Sequence, residues 1–306
     1  MKKRQIGKSD LFVSPLTLGG MSLGTNKKVA TEIIHTAIDS GINHLDTADL
    51  YDFGENETII GEAIKHKRQE LILTSKVGNH FDKEKEIWFW DPSPAYIEKA
   101  LDDSLRRLQT DYLDLCLLHG GTIEDPIDDI IATFERLKDK GKIRSYGISS
   151  IRPNVIHKYV HKSNIDAIMM QYNILDNRPE ELFPLITDKK ISVLARGPLA
   201  KGILSEQAKQ QMAKKAIDGY LAYDPTSLHA VVSALQASQE AMTKLAFQYV
   251  LHETTVASAV FGASSLAQLQ ENSALLNDLL MDEQTYAWIK KLRKQLTYDA
   301  HRIENI

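Results

Sequence analysis

The chain has 306 residues, of which 43% are hydrophobic and 25% charged, with a formal net charge of -4. Those values suit a soluble globular protein with a large core, and they leave no surplus of cations to hold a nucleic-acid backbone or an anionic membrane surface. The one cysteine, Cys116, cannot form an intrachain disulfide, residues 1–10 lack the apolar stretch of a secretory signal, and no apolar run approaches membrane-span length, so a cytoplasmic protein is expected.

Short apolar runs read as strands and longer segments of 3.6-residue period as helices. Residues 4–14 predict a small hairpin turning near 7–10. Strand and helix then alternate: strand 16–19, helix 31–40 ended by Gly41, strand 44–46, helix 57–65 and strand 71–75. After a long loop comes a helix over 94–109, with Pro94 in its first turn. The pattern continues with strand 112–118, helix 127–140 closed by Gly141, strand 143–148, helix 153–161, strand 167–171, helix 180–189 and strand 191–195. A longer polar stretch covers 205–228, either a mobile lid or a surface insertion. Helix 241–252, strand 257–261, helix 265–277 and a last helix over 282–295 follow.

These make eight strand–helix units with no linker between halves. Several strands are apolar throughout, as parallel strands covered on both faces are. The expected α/β architecture is a (β/α)8 TIM barrel with an N-terminal β-hairpin and an additional C-terminal helix, one domain over residues 1–306. A doubly wound sheet is the other arrangement. Against it, no G-x-G-x-x-G follows an early strand, since Gly19-Gly20-Met21 with Gly24 is not that pattern.

In a barrel the chemistry lies at the C-terminal ends of the strands. There the sequence places Asp46, Lys76, His119, Ser149, Ser150, Gln171 and Arg196, with Tyr51 five residues beyond Asp46. Asp46, Tyr51, Lys76 and His119 make a coherent acid–base set. A Lys76 ammonium beside Tyr51 would favour the phenolate, Asp46 would orient Lys76, and His119 would hold a substrate oxygen. Hydride transfer to a carbonyl would then require a cofactor, since no side chain supplies hydride. Each residue also has an ordinary reading: Asp46 as a loop cap, His119 as a core histidine, Lys76 as a solvated strand end, Tyr51 as packing. Asp46 and His119 are possible metal ligands, yet Lys76 would compete and no His-x-His or cysteine pair is present, so no metal is expected. A Ser–His–Asp hydrolase through Ser149 or Ser150 lacks the G-x-S-x-G elbow.

Nearly the whole chain resembles the aldo-keto reductase superfamily. The resemblance rests on Gly41-Ile42-Asn43-His44-Leu45-Asp46-Thr47-Ala48 with Tyr51, on Glu55-Asn56-Glu57 with Gly61, and on Tyr112-Leu113-Asp114-Leu115 leading to Leu118-His119. It extends through Gly141 to Ser149, Gln171-Tyr172-Asn173, Gly197-Pro198-Leu199 with Gly202-Ile203-Leu204, and Gly262-Ala263-Ser264 with Gln268-Leu269 and Glu271-Asn272. The resemblance implies an NAD(P)H-dependent reductase of aldehydes or ketones with a catalytic tetrad of Asp46, Tyr51, Lys76 and His119. Tyr51 would be the proton donor, Lys76 and Asp46 its support, and His119 the group orienting the carbonyl. It implies that Ser149, Ser150 and Gln171 hold the nicotinamide amide, with Gly20, Met21 and Asp46 lining that pocket. Arg196, Gly197, Pro198, Leu199 and Gly202 would run along the ring and pyrophosphate. Gly262, Ala263, Ser264, Gln268, Glu271 and Asn272 would bind the adenosine half.

Three positions depart from the family pattern. Gly120-Gly121 follows His119 where a Pro and an Asp are common, Ser150 stands where many relatives have Asn, and Arg196 where many have an aromatic ring. Arg196 would either stack on the nicotinamide or reach the pyrophosphate, or else form a salt bridge in the mouth. The family leans to NADPH, so NADPH is the expected cofactor and NADH the alternative, although the segment Gly262 to Gln268 carries no cation. Tyr51, Trp88 and His119 are the expected substrate contacts. Ile87-Trp88-Phe89-Trp90 would wall an apolar pocket from the long loop, or else plug against a helix, and Asp49, Asp52 and Phe53 flank Tyr51 as further candidates. The expected partner is a small-molecule carbonyl compound, with no nucleic acid or membrane and an oligomeric state the sequence does not reveal. The alternative role is that of a cofactor-binding regulatory subunit of the same fold with little turnover.

Overall fold

The computed structural model describes residues 2–303. Antiparallel pairing comes first along the chain, where β1 (Arg4–Gln5) and β2 (Phe12–Val13) set Arg4 opposite Val13. The next three strands are β3 (Leu16–Gly19), β4 (His44–Asp46) and β5 (Ile72–Val77). A second hairpin, β6 (Asn79–Asp82) and β7 (Ile87–Trp90), interrupts the series before β8 (Leu113–Leu118), β9 (Ile143–Ser149), β10 (Ala167–Gln171), β11 (Ser192–Arg196) and β12 (Val256–Gly262). Strands β3, β4, β5, β8, β9, β10, β11 and β12 are parallel neighbours in that order, and β12 returns to β3 with Gly262 opposite Gly19, closing the barrel.

Period-2 alternation divides the core. Leu115, Leu117, Met169, Leu194 and Val260 point into the barrel, while Cys116, Leu118, Ile168, Met170, Val193 and Phe261 face the surrounding helices. The interior layer also takes Ile6, Leu11 and Val13, so the first hairpin plugs the end where the strands begin. Polar contacts pin it there: Arg4 donates to the carbonyl of Val256 at 2.8 Å, and the Gly7 amide to Ser192 Oγ at 2.9 Å. Each of those three buried side chains contributes about 1.5–3 kcal/mol. The opposite end stays available for the loops that carry the candidate site.

Several boundaries move for identifiable reasons. The first helix is Lys27–Asp39, four residues earlier than its apolar stripe suggests, because Asn26 caps it through the Val29 amide. The loop after β5 is not a loop but the β6–β7 hairpin. Residues 205–228, expected to be a mobile lid or a surface insertion, carry regular structure of their own. They hold a helix, Ala208–Lys215, a turn closed by Tyr220 and Tyr223, and the start of Pro225–Gln236. The segment at 180–189 splits into a one-turn Arg178–Glu181 and a short Phe183–Asp188. Lys76 and Arg196 lie inside β5 and β11 rather than after them. The closing helix is Glu283–Leu292, and among the described residues no helix is long and apolar enough to cross a membrane.

Candidate active site

Asp46, Lys76 and His119 sit at the C-terminal ends of β4, β5 and β8, and the loop after β4 brings Tyr51 to them. Lys76 is almost fully buried and directs Nζ to three oxygens: Asp46 Oδ2 at 2.8 Å, the Thr47 carbonyl at 2.7 Å and Tyr51 Oη at 3.2 Å. The His119 ring stands edge-on to Tyr51 with centroids 5.9 Å apart. Its amide donates to the carbonyl of Val77 at 2.8 Å, which fixes the strand end.

Burial alone would push the Lys76 ammonium down, but Asp46 and Tyr51 outweigh it and hold it above its ordinary value. Burial raises the Asp46 carboxyl against the pull of Lys76. With the lysine held up, Lys76 is an ammonium at neutral pH. Burial, with Lys76 and Arg196 nearby, pushes His119 down to about 3, so its imidazole is neutral in the physiological range. The fully satisfied core histidine is a different one, His44, whose nitrogens meet Thr17 Oγ1 and Thr74 Oγ1 at 2.7 Å each. In His119, by contrast, Nδ1 is buried without a partner.

The turn that presents Tyr51 is unusual. Asp52, Phe53 and Gly54 follow it at φ of 49°, 50° and 87°. Left-handed backbone in two non-glycine residues costs roughly 1–2 kcal/mol each and persists only where the surroundings fix it. At Gly54 a Cβ would lie 2.8 Å from Arg107 Cδ, so only glycine fits. Asp49, a candidate substrate contact by its position, is instead wholly buried and lines a cavity behind this turn.

The residues expected along the cofactor also gather at this face. Gly20 opens a single turn of 3-10 helix and takes an Asn56 Nδ2 bond on its carbonyl at 2.9 Å; a Cβ there would meet Asn56 Oδ1 at 2.5 Å. Met21 beside it is 73% exposed, so its side chain is free to cover a ligand. Ser149 ends β9 and Ser150 follows, its hydroxyl accepting from the Arg152 amide at 3.2 Å. Gln171 ends β10, donating to Asp176 Oδ2 at 2.9 Å and Tyr220 Oη at 3.3 Å. Arg196 donates to Gln171 Oε1 at 3.2 Å, so its contact is an amide rather than the salt bridge the sequence left open. After it, Gly197, Ala200, Lys201 and Gly202 all have positive φ, a cradle of backbone held by Asn173, two residues past β10, through Nδ2 on the Gly197 carbonyl at 2.9 Å. Gly262 ends β12, Ala263 is buried, and Ser264 binds Gln268 Oε1 through both its amide and hydroxyl at 3.0 Å. Ser265 caps the helix Leu266–Ser273, where Glu271 is exposed and Asn272 buried. These groups fit a dinucleotide: polar amide and hydroxyl groups at the ends of β9 and β10, a glycine-opened backbone path after β11, and a capped helix N-terminus after β12.

The aromatic cluster lies on the second hairpin. Ile87, Trp88 and Phe89 are more than half exposed, so they plug nothing. Trp90 is the residue that packs: its ring lies against Gly78 and Gly120, the residues just past Val77 of β5 and His119, and its Nε1 donates to Asp125 at 3.1 and 3.2 Å. A Cβ on Gly120 would sit 3.3 Å from that ring, which explains a glycine after His119. Thr47, Trp90, Asp125, Asn173 and Tyr220 also support the site. Thr47 and Asn173 stand in motifs visible in the sequence, Gly41 to Ala48 and Gln171-Tyr172-Asn173, whereas Trp90, Asp125 and Tyr220 act through side-chain contacts between distant segments.

An eight-stranded barrel with its acid–base groups on the rim and no Rossmann turn is the framework of a nicotinamide-dependent oxidoreductase that takes its cofactor across the strand ends. The model of the aldo/keto reductase family matches residues 15–294, and the chain belongs to that family of carbonyl-reducing, NAD(P)H-binding oxidoreductases. The chain is similar to the holo form of aldo-keto reductase AKR11C1 from Bacillus halodurans, with 50% identity, a TM-score of 0.95 and 99% of each chain covered. It is 50% identical to the uncharacterized oxidoreductase YqkF of Bacillus subtilis (strain 168), covering 99% of this chain and 100% of that one. It is 28% identical to the NADH-specific methylglyoxal reductase of Escherichia coli (strain K12), covering 92% of this chain and 95% of that one.

Proposed function

We propose that Tyr51 is the proton donor for carbonyl reduction, with residues 1–306 acting as one domain. The observation that carries this is the Lys76 ammonium, held by Asp46 at 2.8 Å and resting 3.2 Å from the Tyr51 oxygen. When bound, the nicotinamide supplies the hydride to the carbonyl carbon. The carbonyl oxygen takes the Tyr51 proton, and the phenolate left behind is stabilised by Lys76. His119, neutral at working pH, donates a hydrogen bond that orients the carbonyl. Asp46 keeps Lys76 charged and aimed.

Ser149, Ser150 and Gln171 hold the nicotinamide amide, beside Gly20, Met21 and Asp46. Gln171 exchanges one of its present bonds to do so. Arg196, Gly197, Pro198, Leu199 and Gly202 run along the ring and pyrophosphate, and Gly262, Ala263, Ser264, Gln268, Glu271 and Asn272 receive the adenosine half. NADPH is the preferred cofactor, its phosphate taken by serine hydroxyls and amides at the start of the helix Leu266–Ser273. The substrate is a small carbonyl compound held by Tyr51 and His119, with Trp88 touching the part that extends outward, and the protein works in the cytoplasm.

The test is NADPH oxidation at neutral pH with aromatic and aliphatic aldehydes, comparing the parent chain with Tyr51→Phe. Turnover that falls at least about a hundredfold in the variant, with cofactor quenching of fluorescence retained, supports the assignment. Equal turnover in both proteins refutes it. A tenfold preference for NADH would overturn the cofactor choice.

A further inference from the structure

Glycine follows both strands that bring Lys76 and His119 to the rim. Gly78 comes after Val77 of β5 at φ of 119°, and Gly120 and Gly121 come after His119 at 144° and 123°. One ring fills the space that side chains at Gly78 and Gly120 would take. A Cβ on Gly78 would lie 2.8 Å from Cζ3 of Trp90, and a Cβ on Gly120 would lie 3.3 Å from the same atom. The benzo edge of the indole is therefore wedged between the two backbones that leave Lys76 and His119, beside the place where the tetrad meets a carbonyl.

What holds the ring there comes from the loop after β8. Trp90 donates Nε1 to both oxygens of Asp125, at 3.1 and 3.2 Å. The same carboxylate accepts the Thr122 amide at 2.6 Å and the Thr122 hydroxyl at 2.9 Å. Arg152 adds a bond from beyond β9 to the Gly121 carbonyl at 2.6 Å. Asp125 thus joins the last residue of β7 to the loop that follows His119, and bonds to an ionised acceptor are the stronger kind. Trp90 differs in this from Ile87, Trp88 and Phe89, which are more than half exposed on the same strand. A ring clamped at its N–H and wedged at its far edge presents one fixed surface, and a fixed aromatic surface selects by shape.

We propose that Trp90 is the wall of the substrate pocket beside His119, with Asp125 as its positioning residue. Together they favour carbonyl compounds whose substituent lies flat against the indole. This rests on the reductase reading of the site.

The test measures kcat and KM for benzaldehyde and for acetaldehyde, which is too short to span the wall. The proteins are the full chain, Asp125→Ala, Trp90→Phe and the double variant, each with the nicotinamide cofactor that the parent uses. Asp125→Ala should raise KM for benzaldehyde at least about threefold, with kcat and the acetaldehyde KM held within about twofold. Trp90→Phe keeps a ring but has no N–H to donate, and it should do the same. The double variant should be no worse than the poorer single variant, because both remove one interaction. Asp125→Asn keeps one acceptor oxygen and should restore at least half of the loss on a logarithmic scale. The indole N–H resonance that disappears in Trp90→Phe should exchange with solvent at least about tenfold faster in Asp125→Ala. Losses that add in the double variant, a KM that rises equally for both aldehydes, or unchanged indole exchange would each overturn the proposal. Should Asp125→Ala fail to fold, an unaltered benzaldehyde KM in Trp90→Phe overturns it instead. A parent chain that reduces neither aldehyde fails the reductase reading and this proposal with it, whereas parental turnover with a benzaldehyde KM unmoved in both variants overturns this proposal alone.

Discussion

Lys76→Met would test whether the tetrad is an ion pair held under electrostatic tension. Lys76 is 1% exposed and Asp46 3%, and methionine replaces most of the lysine stem without its charge. The substitution leaves the Asp46 carboxylate buried with no cation, a loss of about 3–5 kcal/mol. It also strips the donor from the Thr47 carbonyl, worth about 1 kcal/mol more. Burial already raises the Asp46 carboxyl with Lys76 present, and without it the folded-state value climbs further. A carboxyl raised above its unfolded value of about 3.9 imposes no penalty below that pH. The penalty then grows by at most about 1.4 kcal/mol per pH unit until the folded-state value is passed. Lys76→Met should therefore be more destabilised at pH 8 than at pH 5. Adding Asp46→Asn removes the stranded charge and should recover at least half of the loss at pH 8. The assay is guanidinium chloride unfolding of cofactor-free protein at both pH values, followed by circular dichroism. A loss under about 1 kcal/mol at pH 8, or a double variant no more stable than Lys76→Met, would refute the reasoning.

Gly54→Ala should lower stability by about 2–3 kcal/mol, since it strains a φ of 87° and drives Arg107 away from Glu57; thermal melting measures it. Trp90→Ala should cost about 2–4 kcal/mol by emptying the space over Gly78 and Gly120, whereas the exposed Trp88→Ala should change stability by less than about 0.5 kcal/mol while raising KM for a bulky aromatic aldehyde about threefold or more. With His119 held at about 3, its imidazole stays neutral from pH 5 to 8, so kcat/KM over that range should show no break at the ordinary histidine value of about 6.5; a break that vanishes in His119→Asn would contradict this.

The barrel was legible because its strands are short apolar runs whose burial needs no long-range information. The strand at 44–46 and the strand at 167–171 coincide with β4 and β10 residue for residue. The errors fall where local signals were weaker than the tertiary ones. The β6–β7 hairpin has no Asn-Gly or Gly-Gly turn and exposes three of the four residues of its second strand, so no alternation toward a core marked it. The helix Pro225–Gln236 did carry a signal: Asp224 caps it, Pro225 opens it, and Leu228, Val231, Val232 and Leu235 are buried at helical spacing. The polar residues before it hid that periodicity inside a segment taken as one unit.

For the site, position at strand ends collected Asp46, Lys76 and His119 on one rim, because the topology of a closed parallel barrel leaves few other places for them. What spacing does not encode is which polar groups are satisfied. His44 and His119 both belong to strand ends or their flanks and both are pushed to about 3 by burial, yet one is bonded at each nitrogen and the other is not. Among the described residues, eight buried side-chain polar atoms lack a partner, and four of them belong to Asp46, Asp49 and His119. Buried polar atoms elsewhere in a folded chain are almost always paired, since leaving one unpaired costs about 1–3 kcal/mol. Their concentration at one edge of the barrel, beside the left-handed turn at Asp52 and Phe53, marks the region where this chain gives up stability to hold reactive groups ready.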